Sequence, residues 1–422
     1  MTAPRTTRFH PHMRMCLAAF LMDGAVMAGL LVIPFYAFRQ LGGDVALSGT
    51  LIAVHAAAYT VACIVVSGQV KRAENGLNWA IVGGIIFTLC ISSLLFVRNV
   101  WLAGLLVGVG YGCQSLVWPA LHSWVGAEPD PAIRARNMGL FNVAWSGGFA
   151  VSPLLAGPLY DLDYRLPFLL LFALGTGSLL LIRSVPHERD HYGVLTPELL
   201  AARAGHDRAS ESLLYAAWVA TFIMNMLAGV TRAVFPKRVE ELVVSGELRI
   251  LFENTPWLDL SGAAATAYSW LAFLLSFATA AAFFTLGRSD GWRHRFRPLL
   301  LWQAGAGAAF FCLAYTRSLA VMLVCFGVIG AALGFAFFAS VYYSLANPDR
   351  KHARATLNEA YVGAGNFLGS IVFGHLAAQF GLLLPLKFTP VFIAAVLAAQ
   401  VLLVRRGRVR HGINACPRRA AS

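Results

Sequence analysis

The sequence predicts an all-α polytopic membrane protein, with twelve transmembrane helices arranged as two pseudo-symmetric six-helix bundles. Three observations predict it. The 422 residues are 58% hydrophobic and only 13% charged, with a mean hydropathy of +0.66, whereas a soluble globular chain carries roughly 25% charged residues. Apolar runs near 20 residues, the length that crosses ~30 Å of hydrocarbon, follow one another along the whole chain. The chain also echoes itself: Phe20-Leu21-Met22-Asp23 followed by Pro34 returns as Phe222-Ile223-Met224-Asn225 followed by Pro236, at a constant offset of 202 residues. A second echo, at offset 217, pairs Asn142, Gly148, Ser152, Pro153 and Gly157 with Glu359, Gly365, Gly369, Ser370 and Gly374.

Six runs, 15–36, 48–70, 79–97, 101–125, 137–160 and 166–182, form the first group. They are too long for strands and lack the period-two alternation of a transmembrane barrel, so helices are expected. The first run follows Arg5, Arg8 and Arg14 like a signal peptide, but its full length and lack of a convincing small-residue cleavage site predict that it stays attached. The segment 184–212 is polar, charged and broken by prolines, which predicts a cytoplasmic linker between an N-terminal bundle (1–183) and a C-terminal one (213–422). The second group comprises 213–235, 261–286, 299–315, 319–345, 357–380 and 382–404. Between its first two runs, 236–260 carries mixed charge and is read as a solvated outside loop.

The formal charge of +13 reflects topology. With a cytoplasmic N-terminus, 24 of the 33 Lys and Arg fall in inside segments, the asymmetry of the positive-inside rule rather than the footprint of a nucleic acid. Both termini are therefore expected in the cytoplasm, with the chain in the plasma (inner) membrane. Six of the seven cysteines lie within helical runs and none forms a CxxC pair, so they read as small apolar residues, with no metal site implied. Walker-type, HExxH and dinucleotide signatures are absent; no cofactor and no enzymatic activity is expected.

Two stretches carry a family resemblance. The fifth run reads Arg136-Asn137-Met138-Gly139-Leu140-Phe141-Asn142-Val143-Ala144-Trp145-Ser146-Gly147-Gly148, continuing to Ser152-Pro153-Leu154-Leu155-Ala156-Gly157. Between the eighth and ninth runs stands Gly287-Arg288-Ser289-Asp290-Gly291-Trp292-Arg293-His294-Arg295. These resemble the glycine- and proline-rich fifth-helix motif and the acidic-then-basic cytoplasmic loop of the major facilitator superfamily. The equivalent loop of the first half, Gly68 to Gly76, keeps the glycine and the basic pair but lacks the aspartate. The resemblance implies alternating access, with gating roles for Gly148, Pro153, Gly157, Asp290, Arg293, Gly365 and Gly369. It says little about the solute, because one fold hosts many functions.

Polar residues inside the runs mark the expected site. Asp23 lies near the middle of the first run, where a charge costs about 2.5 to 3.5 kcal/mol even on insertion scales. No Lys or Arg stands at comparable depth, Arg232 being the nearest at the outer end of the seventh run. Asp23 then either carries a proton or faces water, a polar neighbour or a cationic solute; the alternative is a buried acid hydrogen-bonded to backbone or Asn225. Glu359, paired by the repeat with Asn142, is either a second proton carrier or a first-turn acid stabilised by the helix dipole.

His55, Tyr59 and Cys63 recur at helical spacing, as do Gln114, Trp118 and His122, and such stripes can line a cavity or simply pack. On the seventh run, Asn225, Gly229 and Arg232 share a face. Trp145 either stacks on a ligand or packs between helices, and of Tyr342 and Tyr343 at least one should point inward. The expected solute site comprises Asp23, His55, Gln114, Trp118, Asn142, Trp145, Asn225, Tyr342, Tyr343 and Glu359, with Asp23 and Glu359 carrying the coupling proton. With acids, aromatics and one cation at its rim, this set favours a small neutral or cationic organic molecule over an anion. The reading is a monomeric secondary transporter in contact with membrane lipid, proton-coupled, efflux slightly favoured. Uptake by proton symport and a non-transporting ligand sensor are the alternatives, and sodium remains open as the coupling ion.

Overall fold

In hydrocarbon a backbone must satisfy its own N–H and C=O groups, which long apolar segments do by coiling into helices. The computed structural model describes residues 10–70, 76–126, 131–186, 207–249, 262–289, 291–345 and 351–410. Its helices are α1 Pro11–Arg39, α2 Val45–Val70, α3 Gly76–Ser92, α4 Val100–Gln114, α5 Val117–Gly126, α6 Pro131–Leu162 and α7 Leu166–Arg183, followed by α8 Asp207–Ala233, α9 Phe235–Val244, α10 Ala264–Arg288, α11 Phe296–Tyr315, α12 Leu319–Leu345, α13 Lys351–Phe380 and α14 Leu383–Arg410. Eleven stretches among the described residues are long and apolar enough to cross a membrane. The twelfth crossing is α13, whose 30 residues span roughly 45 Å at 1.5 Å per residue.

Two spans depart from the expected single rods. The fourth breaks after Gln114, where Ser115 and Leu116 bond in tight turns to Gly112 and Cys113. Pro119 is the cause: it offers no N–H to the carbonyl of Ser115, and its ring crowds that carbonyl. The seventh breaks at Val234, because Pro236 cannot donate to the carbonyl of Arg232, and the chain restarts as α9. The stretch expected to be an outside loop from 236 therefore opens as a helix. It buries Val239, Glu240, Leu242 and Val243 on one face. Beyond it Arg249 bridges to the start of α12, donating to the Arg317 carbonyl and accepting from the Leu319 N–H, each at 2.9 Å. Residues 250–261 of that loop, most of the linker (187–206), the basic residues Lys71 and Arg72, and Asp290 lie outside the described residues.

Helices α1 to α7 build one bundle and α8 to α14 the other. The centre of the first is α1, packed against α6, α7 and α2; the centre of the second is α8, packed against α13 and α12. The two sequence echoes meet in these contacts. Gly148 of α6 lies so close to the Phe20 carbonyl of α1 that a β-carbon would overlap it, and Gly365 of α13 stands in the same relation to the Phe222 carbonyl of α8. Phe20 and Phe222 are partners at offset 202, Gly148 and Gly365 at offset 217, so each bundle repeats one packing solution. The bundles join along two seams, α2 with α13 and α6 with α10.

Candidate functional site

Asp23 sits on the most enclosed helix of the N-terminal bundle, yet its carboxyl forms no hydrogen bond and no ion pair with any described residue, and its oxygens are not sealed from solvent-sized space. The alternative in which Asn225 satisfies it is not what the fold provides. Asn225 gives its amide to the Thr221 carbonyl at 2.9 Å and accepts from Asn366 at 3.0 Å. Asp23 is instead held within electrostatic reach of Tyr59, whose hydroxyl is hydrogen-bonded to Cys63. Glu359 approaches the same phenol from the other bundle. Both acids thus lie within electrostatic reach of Tyr59.

Glu359 is not in the first turn of its helix, as the dipole reading required. Helix α13 begins at Lys351, two turns earlier, beyond the range over which a terminal dipole acts. The residue is exposed and its side chain hydrogen-bonds Asn358, which is itself bonded to Ser340. Asn142 and Trp145 of α6 pair with each other, indole N–H to amide oxygen at 3.1 Å. The Trp118 ring lies 6.5 Å from that of Trp145.

Other expected site residues are placed elsewhere. Gln114 is buried at the last turn of α4, and the break behind it separates Gln114 from Trp118 and His122, so the stripe expected from one continuous helix is interrupted. His122 engages the Trp118 carbonyl at 2.8 Å and packs on Phe141. Tyr342 and Tyr343 do not reach the acids. They pack against Trp292 at 5.2 and 6.3 Å, the Tyr343 hydroxyl accepts the His294 N–H, and Arg293 stands over Tyr342. Their rings anchor the loop between α10 and α11, and aromatic area is what holds it.

The glycines divide likewise. Gly148, Gly365 and Gly369 touch helices of their own bundle, whereas Gly157 meets Ser269 and Ala265 of α10 across the seam. Gly49 against Ser370 and Gly363 against Thr60 are further close approaches between bundles. Pro153 is buried within α6, beside Ser152, whose hydroxyl bonds the Gly24 carbonyl of α1 at 2.6 Å.

Sequence reasoning missed the far end of the molecule, opposite the start of α1 and the end of α14. There Arg39, at the end of α1, bonds Asp161 of α6 at 3.3 Å and Glu240 of α9 at 2.9 Å. Lys237 also bonds Glu240 at 2.9 Å. The Asp161 carboxylate accepts the Thr266 N–H at 2.7 Å, its hydroxyl at 2.8 Å and the Ala265 N–H at 3.3 Å. Helix α10 has no cap from its own N-cap residue, Ala263, so one bundle caps a helix of the other. Nearby the Ser48 hydroxyl bonds the Ala233 carbonyl at 3.0 Å. These contacts close that end.

Losing an N-cap costs ~1 kcal/mol, a factor of about five in a two-state equilibrium. Asp161→Ala is therefore expected to raise several-fold the reactivity of an introduced Ser269→Cys toward a membrane-impermeant maleimide added from the far side. Unchanged labelling would count against the latch.

The comparisons agree on the architecture. A family model described as Major Facilitator Superfamily matches residues 15–241. The proton-coupled antiporter flippase LtaA of Staphylococcus haemolyticus (strain JCSC1435) is 28% identical over 143 residues, 32% of this chain; the match spans about a third (35%) of that relative's length. Among solved structures, the nucleoside transporter NupG superposes with a TM-score of 0.69 at 14% identity, covering 94% of this chain and 99% of that one. A structure from work on substrate recognition in proton dependent oligopeptide transporters gives 0.68 at 15%, covering 94% and 99%. A bacterial homologue of the human lysosomal transporter Spinster, inward-facing and unoccupied, gives 0.63 at 17%, covering 98% and 95%. At such identities the structures speak for the fold alone.

Proposed function

Because this chain belongs to the Major Facilitator Superfamily, a family of membrane transporters, we propose that it is a secondary active transporter of a small neutral or cationic organic solute, driven by protons and working by alternating access. The observation that carries the reading is Asp23: a carboxyl in mid-span, unbonded and unsealed, in a protein whose two bundles are latched at one end. An acid kept free of structural partners is available to exchange a proton or to meet a cation. Glu359, sharing Tyr59 with it, is the second carrier. On the positive-inside reading both termini lie on the cytoplasmic side of the inner membrane, so the latched end faces outward.

Efflux is the favoured direction, since aromatic rings cluster in the central spans, Trp118 with Trp145 and Phe222 with Tyr361. The partial likeness to a proton-coupled antiporter flippase supports this direction. The test is flux in proteoliposomes holding a pH-sensitive dye, challenged with a panel of neutral and cationic amphipathic compounds. Solute-driven proton movement is expected for some of them. Solute movement with no proton movement at any imposed gradient would defeat the coupling, and binding without flux would favour a sensor.

A further inference from the structure

Arg232 is half-buried, and no carboxylate among the described residues pairs with its guanidinium. Its position at the end of α8, in the last turn, lets the helix dipole offset part of its cost. The dipole does not account for where the side chain goes. On a helix, side chains lean toward the N-terminus, and Arg232 turns back toward the middle of the molecule, where Nη1 donates to the Asn366 Oδ1 at 3.0 Å. Asn366 in turn donates to Asn225 at 3.0 Å, and Asn225 to the Thr221 carbonyl. This chain fixes the guanidinium in place.

A guanidinium has five N–H donors in a planar fork. One is spent on Asn366. The others have no protein acceptor among the described residues, yet they are not sealed off as buried orphans. Two neighbours lie within electrostatic reach of the guanidinium: Tyr268, whose hydroxyl is committed to the Thr231 carbonyl at 2.9 Å, and His55 of the opposite bundle, which packs edge-on against Tyr111 at 4.3 Å. No neighbour there brings a negative charge. Two turns down α13 from Asn366 stands Glu359, roughly 10 Å at 1.5 Å per residue, within electrostatic reach of Tyr59 as Asp23 also is. The two acids and the guanidinium are thus set apart along the molecule, with Arg232 on the side of the bonded end.

We propose that Arg232 is an anion-binding subsite, and that the solute is amphoteric: its cationic end meets Asp23 and Glu359, and a carboxylate or similar planar anion meets the free fork of Arg232, leaving the molecule neutral overall. The proposal rests on the transport reading for the location of the site and narrows its solute class. Arg suits the role because its fork matches a carboxylate in two parallel hydrogen bonds. The second charged end sets a length requirement that a simple amine lacks.

The probes are straight-chain ω-amino carboxylates of graded length, with alkylamines and alkylcarboxylates of matching length as controls. Their affinity for the full-length protein in detergent is read from thermal-unfolding shifts. For the wild type, one chain length is expected to bind at least tenfold tighter than its amine. Arg232→Gln should bring that probe down to the amine's affinity while leaving the amine itself within twofold; Arg232→Lys, which keeps a cation, should retain part of the preference and serves where the Gln variant does not fold. Equal affinity of amphoteric probes and amines in the wild type, absence of binding by any amphoteric probe, or an equal loss of amine and amphoteric binding in Arg232→Gln would overturn the proposal. Flux of the amines in proteoliposomes, measured separately, shows whether the transport reading survives when the subsite does not.

Discussion

Asp23→Asn is expected to abolish solute-driven proton movement while the protein still folds and inserts. The structural cost should be small because the carboxyl makes no hydrogen bond or ion pair among the described residues, so the amide, of nearly equal volume, removes no contact. Insertion should improve if anything, since an acid in mid-span costs about 2.5 to 3.5 kcal/mol. What disappears is the ability to bind and release a proton. In proteoliposomes the variant should exchange solute across the membrane at equal pH on both sides, yet fail to accumulate it against a gradient when a pH difference is imposed. Uphill transport at the wild-type rate with the same pH dependence would make Asp23 a structural residue. Glu359→Gln serves as the comparison: if the two acids act together through Tyr59, it should weaken coupling as well.

The second large effect is a contrast between two glycines of one helix. Gly148→Leu drives a side chain into the Phe20 carbonyl within a bundle, and Gly157→Leu drives one into Ser269 and the Ala265 carbonyl across the seam. Overpacking costs about 1 to 3 kcal/mol where the neighbours can move, and more where the obstacle is backbone. The first cost falls on the folded bundle in every conformation, so Gly148→Leu should lower the thermal midpoint by several degrees and reduce the amount of folded protein. The second falls on the state in which the far end is closed, so Gly157→Leu should leave the midpoint closer to the wild type and raise labelling of a far-side cysteine as flux falls. Gly365→Leu should behave like Gly148→Leu, because it meets Phe222 as Gly148 meets Phe20. If both glycines of α6 lower the midpoint equally, or if Gly157→Leu transports normally, the seam is not what slides.

This contrast revises an expectation. In the sequence, Gly148, Gly157, Gly365 and Gly369 look alike, small residues in a motif associated with gating. A small residue reports a close approach but not the helix that makes it. Only the packing separates Gly157, which faces the other bundle, from Gly148 and Gly365, which fasten each bundle to its own central helix.

Much was legible in the sequence, for a physical reason. A segment in hydrocarbon has one economical way to satisfy its backbone, so length and hydropathy fix helices to within a few residues, and the echoes at offsets 202 and 217 fix their pairing into repeated bundles. Asp23 was legible as an exception too, because an acid in mid-span is costly whatever its neighbours turn out to be. The partners of such residues were not. Whether Asp23 is satisfied, whether Glu359 lies in a first turn, whether Tyr342 and Tyr343 face solute or a loop, and which way Arg232 turns all depend on contacts between segments far apart in the chain. The latch of Arg39, Asp161 and Glu240 is the plainest case. Three charged residues near span ends read as ordinary solvated termini, and only tertiary packing brings them together to cap a helix of the opposite bundle. Local sequence determines the energy of a segment in its solvent, whereas a site between two bundles is set by where the bundles meet.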